Sequence, residues 1–82
     1  MDSSKCYLVD TDGTYLYHEN SEMVGTKMTD NPVIEEVLTT LREEGHITTA
    51  DVRRCKVDGK DVYVAFMCTV NDWVIFVQAD AA

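Results

Sequence analysis

The two histidines, the three cysteines and the acidic residues are the first side chains to consider for acid–base, nucleophilic or metal chemistry in this chain. A catalytic histidine needs a nucleophile or a carboxylate beside it, and neither His18 nor His46 has such a partner at a recognisable spacing. The sequence instead favours structural roles: His18 forms local bonds at a strand end, and His46 lies beside the last carbonyls of a helix. We therefore expect that the protein is not an enzyme.

Neither the cysteines nor the acidic residues have the spacing of a metal site. Cys6, Cys55 and Cys68 form no C-x-x-C pair, so neither a zinc site nor a redox dithiol is indicated. Cys55 and Cys68 flank a predicted hairpin and could be neighbours, or all three could be small apolar residues on strands. Asp10 and Asp12 lack the twelve-residue calcium pattern and are predicted to form turns. No metal or cofactor is expected.

Length and charge restrict the function further. The chain has 82 residues, which predicts a single domain over residues 1–82. Its formal charge is −8, from 15 acidic and 7 basic side chains, and this charge repels phosphate backbones, so no nucleic-acid partner is expected. No apolar run approaches the roughly 20 residues that span a bilayer, so the chain itself is predicted to be soluble.

The order of predicted elements is strand, strand, helix, strand, strand, strand. Residues 5–10 and 14–18 form a hairpin across an Asp-Gly turn, and a polar segment follows. Asp30 or Asn31 then caps a helix that ends at Gly45. Its apolar positions share one face, and they are Val33, Ile34, Val37, Leu38 and Leu41. Three strands complete the chain, at residues 50–57, 60–70 and 73–79.

These elements predict an α+β fold, in which one main helix packs on a PAS-like five-stranded antiparallel sheet. Alternation along the last two strands predicts that Val64, Phe66, Ile75 and Val77 are buried. It also places Tyr15 and His18 on opposite sides of the second strand. One helix covers only one sheet face, so the other face needs an N-terminal helix or a second subunit, and a homodimer is predicted.

Several segments, in this order, resemble the Cache sensor domains of bacterial receptors. The opening match is an apolar strand, a D-x-D-G turn and a second strand that ends in histidine, and further matches follow downstream. The matching segments are Leu8–His18 (LVDTDGTYLYH), Met23–Lys27 (MVGTK), Val57–Lys60 (VDGK) and Asn71–Val77 (NDWVIFV). Two departures stand out. Asp72 replaces the usual glycine before the tryptophan, and no long helix of the kind with which family members begin precedes Leu8, so we expect either an excised core or an unusually short member.

The resemblance implies an extracytoplasmic signal-sensing domain of a chemoreceptor or sensor histidine kinase. Such a domain is soluble, belongs to a membrane-anchored parent protein, and either binds a small molecule or transmits a signal without one. The alternative is a stand-alone acidic module for protein–protein interaction, with an exposed sheet face or edge as its binding surface.

In a PAS-like module the ligand lies between the sheet and the segment that leads into the helix, here residues 19–30. Arg54 is the candidate cation for a carboxylate ligand, and the alternative is an ordinary solvated strand arginine. The predicted ligand-binding residues either lead into this segment or lie on strands that could face it, and they are Tyr15, Tyr17, His18, Arg54 and Tyr63.

Overall fold

The computed structural model describes residues 4–29, 31–46 and 50–81, and it confirms the predicted α+β, PAS-like fold. The strands form one antiparallel sheet in the order β2-β1-β5-β4-β3. The elements are β1 (Lys5–Val9), β2 (Tyr15–Tyr17), a short 3₁₀ helix (Ser21–Met23), α1 (Pro32–Glu44), β3 (Ala50–Val57), β4 (Lys60–Cys68) and β5 (Val74–Asp80).

Helix α1 begins and ends at the residues that its sequence favours. The Oδ1 atom of Asn31 accepts a hydrogen bond from the backbone N–H of Ile34 at 3.2 Å, and Pro32 opens the first turn. Gly45 ends the helix with a φ of +81°. Asn31 is therefore the cap, whereas Asp30, the other candidate, lies outside the described residues. The five predicted apolar positions of the helix are all buried.

Helix α1 covers one face of the sheet, which we call the inner face. Val64 and Phe66 lie on it and are buried, as predicted. The prediction was wrong for Ile75, which is half-buried, and for Val77, which is 38% exposed. Both alternate with the buried Phe76 along β5 and so lie on the opposite, outer face. Large apolar side chains remain exposed on the outer face, namely Val52, Tyr63, Met67 and Val77.

The turn before β5 explains why Asp72 can replace a glycine. Asp72 has a φ of +62°, the left-handed conformation that glycine adopts at least cost. Its backbone carbonyl accepts a hydrogen bond from the Thr11 hydroxyl at 2.8 Å. Its Oδ1 atom lies 2.6 Å from Nδ1 of His46, so His46 contacts this turn as well as following the helix end. The connection between β4 and β5 is thus tied to the β1–β2 turn and to the residue after the C-cap.

All three cysteines are free thiols, and each is half-buried. Cys55 pairs with Val62 across the β3–β4 ladder, whereas Cys68 pairs with Val74 on the other side of β4. The two are therefore not cross-strand neighbours. Burial raises the pKa of both thiols, with the charge of Asp72 adding to the shift at Cys68.

Candidate ligand-binding site

A cavity of about 260 Å³ lies on the inner face, between the sheet and the segment that leads into α1. Backbone hydrogen bonds hold this segment against β2 and the turn before it, including Tyr15 N–H to Thr26 O at 2.9 Å and Met28 N–H to Gly13 O at 2.8 Å. Gly13 has a φ of +86°, and a Cβ there would lie 3.3 Å from Leu38, so the turn that positions the segment requires glycine.

Aromatic rings form the apolar part of the cavity. Tyr7 of β1 and Phe76 of β5 are cross-strand partners whose rings stack with centroids 5.0 Å apart. The His18 ring meets the rings of Tyr7 and Tyr15 edge-on, at 4.8 and 4.6 Å. All four residues line the cavity, and together they present a rigid surface against which a small organic molecule can pack.

Tyr15 and His18 both face the cavity because the pairing of β1 with β2 is irregular. The register shifts between Leu8, opposite Tyr17, and Val9, opposite Tyr15. Strand β2 ends at Tyr17, so simple alternation does not extend to His18, and the prediction of opposite sides was wrong. The Nδ1 atom of His18 accepts a hydrogen bond from the backbone N–H of Asn20 at 2.9 Å, which places the proton of the neutral ring on Nε2.

Two side-chain amides form the inner polar wall. Asn31 is only 2% exposed, and its Nδ2 atom donates to Oε1 of Gln78 at 3.0 Å while its Oδ1 caps α1. Both residues line the cavity. The Gln78 amide nitrogen has two donors of its own, so Gln78 can bond a ligand oxygen without giving up its bond to Asn31.

Charged groups of opposite sign also line the cavity. The Lys27 ammonium donates to the carbonyl of Asp12 at 3.1 Å, and two of its three donors remain for a ligand. Asp58 lies in the β3–β4 turn, with a φ of +52°. An ammonium group and a carboxylate on one cavity match a small zwitterion or a molecule with one acidic and one basic group.

A second cavity of about 300 Å³ adjoins the first on the same face. The two share Tyr7, Val57, Asp58 and Gln78. The second continues along β5 past Gln78, and its remaining lining residues are Lys5, Lys60, Val62, Ala79 and Asp80.

Of the predicted ligand-binding residues, the structure brings only Tyr15 and His18 to the cavity. Tyr17, opposite Leu8, lies on the outer face and is 50% exposed. Arg54 and Tyr63 are cross-strand partners on that same outer face, because they alternate with the buried Val62 and Val64 along the β3–β4 ladder. Neither therefore faces the segment that precedes α1.

Arg54 is a paired surface residue in this fold. Its guanidinium lies 3.2 Å from Oδ2 of Asp61, and its side chain is 57% exposed. That hydrogen bond, with the nearby charge of Lys56, holds the pKa of Asp61 below its usual range.

Sequence reasoning missed five polar residues of the cavity. The missed residues are Lys27, Thr29, Asn31, Asp58 and Gln78. Gln78 had a usable signal, since it lies two residues after Phe76 on β5 and so shares its face. Asn31 was recognised only as a helix cap, Lys27 only as part of a resembling segment, and Asp58 only as part of another such segment and of the Asp58-Gly59 turn between two strands.

A five-stranded antiparallel sheet that carries one helix, with a cavity beneath the segment that precedes this helix, defines the α+β fold of PAS-like and Cache domains. Among solved structures, the chain is similar to the ligand-binding domain of Mlp24, solved with asparagine. The identity is 20% and the TM-score 0.62, over 95% of this chain and 28% of that chain. No family model matches the sequence, and neither does any curated protein. The similarity confirms the predicted fold.

Within the described ranges, no helix has both the length and the apolar character that crossing a bilayer requires.

Proposed function

We propose that this chain is the signal-sensing module of an extracytoplasmic receptor, such as a bacterial chemoreceptor or sensor kinase with a membrane-anchored parent protein. The observation that carries the proposal is the inner-face cavity, where an aromatic floor meets a small set of converging polar groups. The chain spans 28% of the Mlp24 structure to which it is similar, so receptor context is part of the proposal.

The ligand we propose is a small α-amino acid or a molecule of the same charge pattern. Lys27 would bind its carboxylate and Asp58 its ammonium group, while the Gln78 amide bonds a remaining polar atom. The Mlp24 domain was solved with asparagine, a molecule of this class.

The module is proposed to bind without catalysing a reaction. His18 orients the segment through its bond from Asn20, and His46 contacts the turn at Asp72. Both histidines thus have structural contacts that account for them, and the remaining polar groups of the cavity suit recognition.

A thermal-shift screen against amino acids, carboxylates, amines and purines tests this proposal. A ligand at a hundred times its dissociation constant adds about 2.7 kcal/mol of stability, which for a domain of this size is a rise in Tm of roughly 10 to 20 °C. We expect Lys27→Met to weaken binding of the best amino acid without lowering the Tm of the unliganded protein.

Two outer-face changes serve as matched controls for the screen. Lys56→Met removes a lysine that lies 3.5 Å from Asp61, away from the cavity, and Arg54→Ala removes the arginine on the same face. Both are expected to bind as the parent does. Loss of binding with Arg54→Ala alone would place the site on the outer face, contrary to the proposal.

A second candidate function, a protein-interaction module, is favoured by the exposed outer face. Its apolar side chains include Met67, 52% exposed, and Val77, 38% exposed, and we propose that a second copy of the chain covers them in a homodimer. Sedimentation at increasing concentration should show self-association that Met67→Lys with Val77→Lys abolishes. A strictly monomeric parent would remove the homodimer from the proposal.

A further inference from the structure

Five of the seven basic side chains already have partners in the described structure. Lys27 and Arg42 donate to backbone carbonyls, and Arg53, Arg54 and Lys56 pair with carboxylates. Within residues 4–29, 31–46 and 50–81, Lys5 and Lys60 form no ion pair or side-chain hydrogen bond.

These two lysines lie on the same face of the sheet, on the strands β1 and β4 that flank β5 on either side. Lys5 is the cross-strand partner of Gln78, and Lys60 pairs with Val57, which places both on the inner face beyond the part that α1 covers. Both line the second cavity, which shares Tyr7, Val57, Asp58 and Gln78 with the first. The two cavities thus form one cleft that runs along β5.

The length of the cleft can be measured along that strand. The first cavity reaches Phe76 and the second reaches Asp80, four residues that span about 13 Å at the usual rise per strand residue. The second cavity is therefore displaced from the first by about 7 Å, or two strand residues.

From this arrangement we infer that the cleft binds an elongated ligand whose second anionic group lies between Lys5 and Lys60. The inference rests on the proposed function, since the amino-acid head of the ligand occupies the first cavity. The class is an α-amino acid with a distal carboxylate about 7 Å from its head, the length of a long-chain amino diacid or a γ-linked acidic dipeptide. Asp80 also lines the second cavity, and its carboxylate repels an anion. The distal carboxylate of the ligand therefore has to lie next to the lysine ammonium groups to be bound favourably.

The test compares α-aminopimelate with its ω-amide by titration calorimetry on the full chain, with asparagine as the short reference. We expect the diacid to bind about tenfold tighter than the amide, the effect of two partly exposed lysines. The double change Lys5→Met with Lys60→Met should abolish that preference and leave the affinity for asparagine unchanged. Lys56→Met should keep the preference, and added salt should reduce it.

The outcomes separate this inference from the proposed function. Binding of asparagine with equal affinity for diacid and amide overturns the elongated ligand but leaves the sensing proposal intact. A preference that survives in the double variant assigns the anion to other residues and also overturns it. Failure of every amino acid to bind overturns both proposals together.

Discussion

The side-chain amide of Asn31 donates to the side-chain carbonyl of Gln78 at 3.0 Å, and the same Asn31 caps helix α1 through the backbone N–H of Ile34. One buried side chain thus joins the start of the helix to the middle strand of the sheet. Both amides line the cavity, so the wall of the site and the anchor of the helix are the same structural unit.

Asn31→Ala should lower the free energy of unfolding by about 1 to 2 kcal/mol, because it removes the cap and leaves Gln78 without its partner. Asn31→Ser keeps an oxygen for the cap and should recover roughly half of that loss. Urea unfolding measures both. The control is Asn20→Ala, which removes the exposed cap of the short 3₁₀ helix and should cost much less; an equal cost at both positions would contradict the role given to Asn31.

Phe66→Ala should cost about 3 to 5 kcal/mol, enough to unfold so small a domain, because it leaves a void in the core beneath α1. Phe66 is 4% exposed and pairs across the ladder with Phe76 of the cavity floor. Its neighbour Met67 points to the outer face and is 52% exposed. Met67→Ala should therefore shift the thermal midpoint by only a few degrees, and similar midpoints for the two variants would argue against the assignment of the inner face.

The backbone at Asp72 can be separated from its side chain by two substitutions. Asp72→Gly and Asp72→Ala both remove the contact with His46, but only alanine is strained at a φ of +62°. We expect the glycine variant to be more stable than the alanine variant by about 1 kcal/mol, as judged by chemical unfolding. If the two variants were equally stable, the backbone conformation at position 72 would not matter, and the contact with His46 would be the reason for an aspartate there.

Acid should destabilise the folded state partly through Asp61, whose pKa is lowered first by the hydrogen bond from Arg54 and then by the charge of Lys56. A lowered pKa stabilises the fold above the ordinary carboxyl range, near pH 4, and this contribution is lost as the pH falls through the folded-state value. Unfolding midpoints measured from pH 6 down to pH 2 should therefore fall less steeply for Asp61→Asn than for the parent. Arg54→Met should flatten the same acid limb, whereas an unchanged slope in both variants would show that the pair does not contribute.

The order and approximate bounds of the helix and strands could be predicted from the sequence, but the sheet face on which each strand residue lies could not. The Asp-Gly turns, the Asn31 cap and Gly45 are local signals, and each marked a boundary that the structure confirms. Both faces of β4 and β5 are apolar, however, so alternation alone could not tell which face α1 covers. For this reason the prediction that Val77 is buried was wrong.

Most of the candidate site could not be predicted from the sequence, because its residues are brought together by long-range pairing. Its polar wall joins Asn31 to Gln78, 47 positions apart in the chain, and no local pattern signals that pairing. The shared wall of Tyr15 and His18 depends on a register shift between β1 and β2, which strict alternation cannot anticipate. Arg54 was chosen as the carboxylate-binding residue for its charge alone, but its position in the β3–β4 ladder places it on the outer face.

Strand β5 lies in the middle of the sheet and has a hydrogen-bonded neighbour on each side. It presents Phe76 and Gln78 to the cavity and, between them, Val77 to the outer face. If the proposed ligand displaces this strand, Val77 on the outer face moves with it, and the hydrogen bonds to β1 and β4 transmit the displacement to both neighbours. Under the proposed sensing function, the sheet would carry that movement from the ligand side to the face that the ligand does not touch.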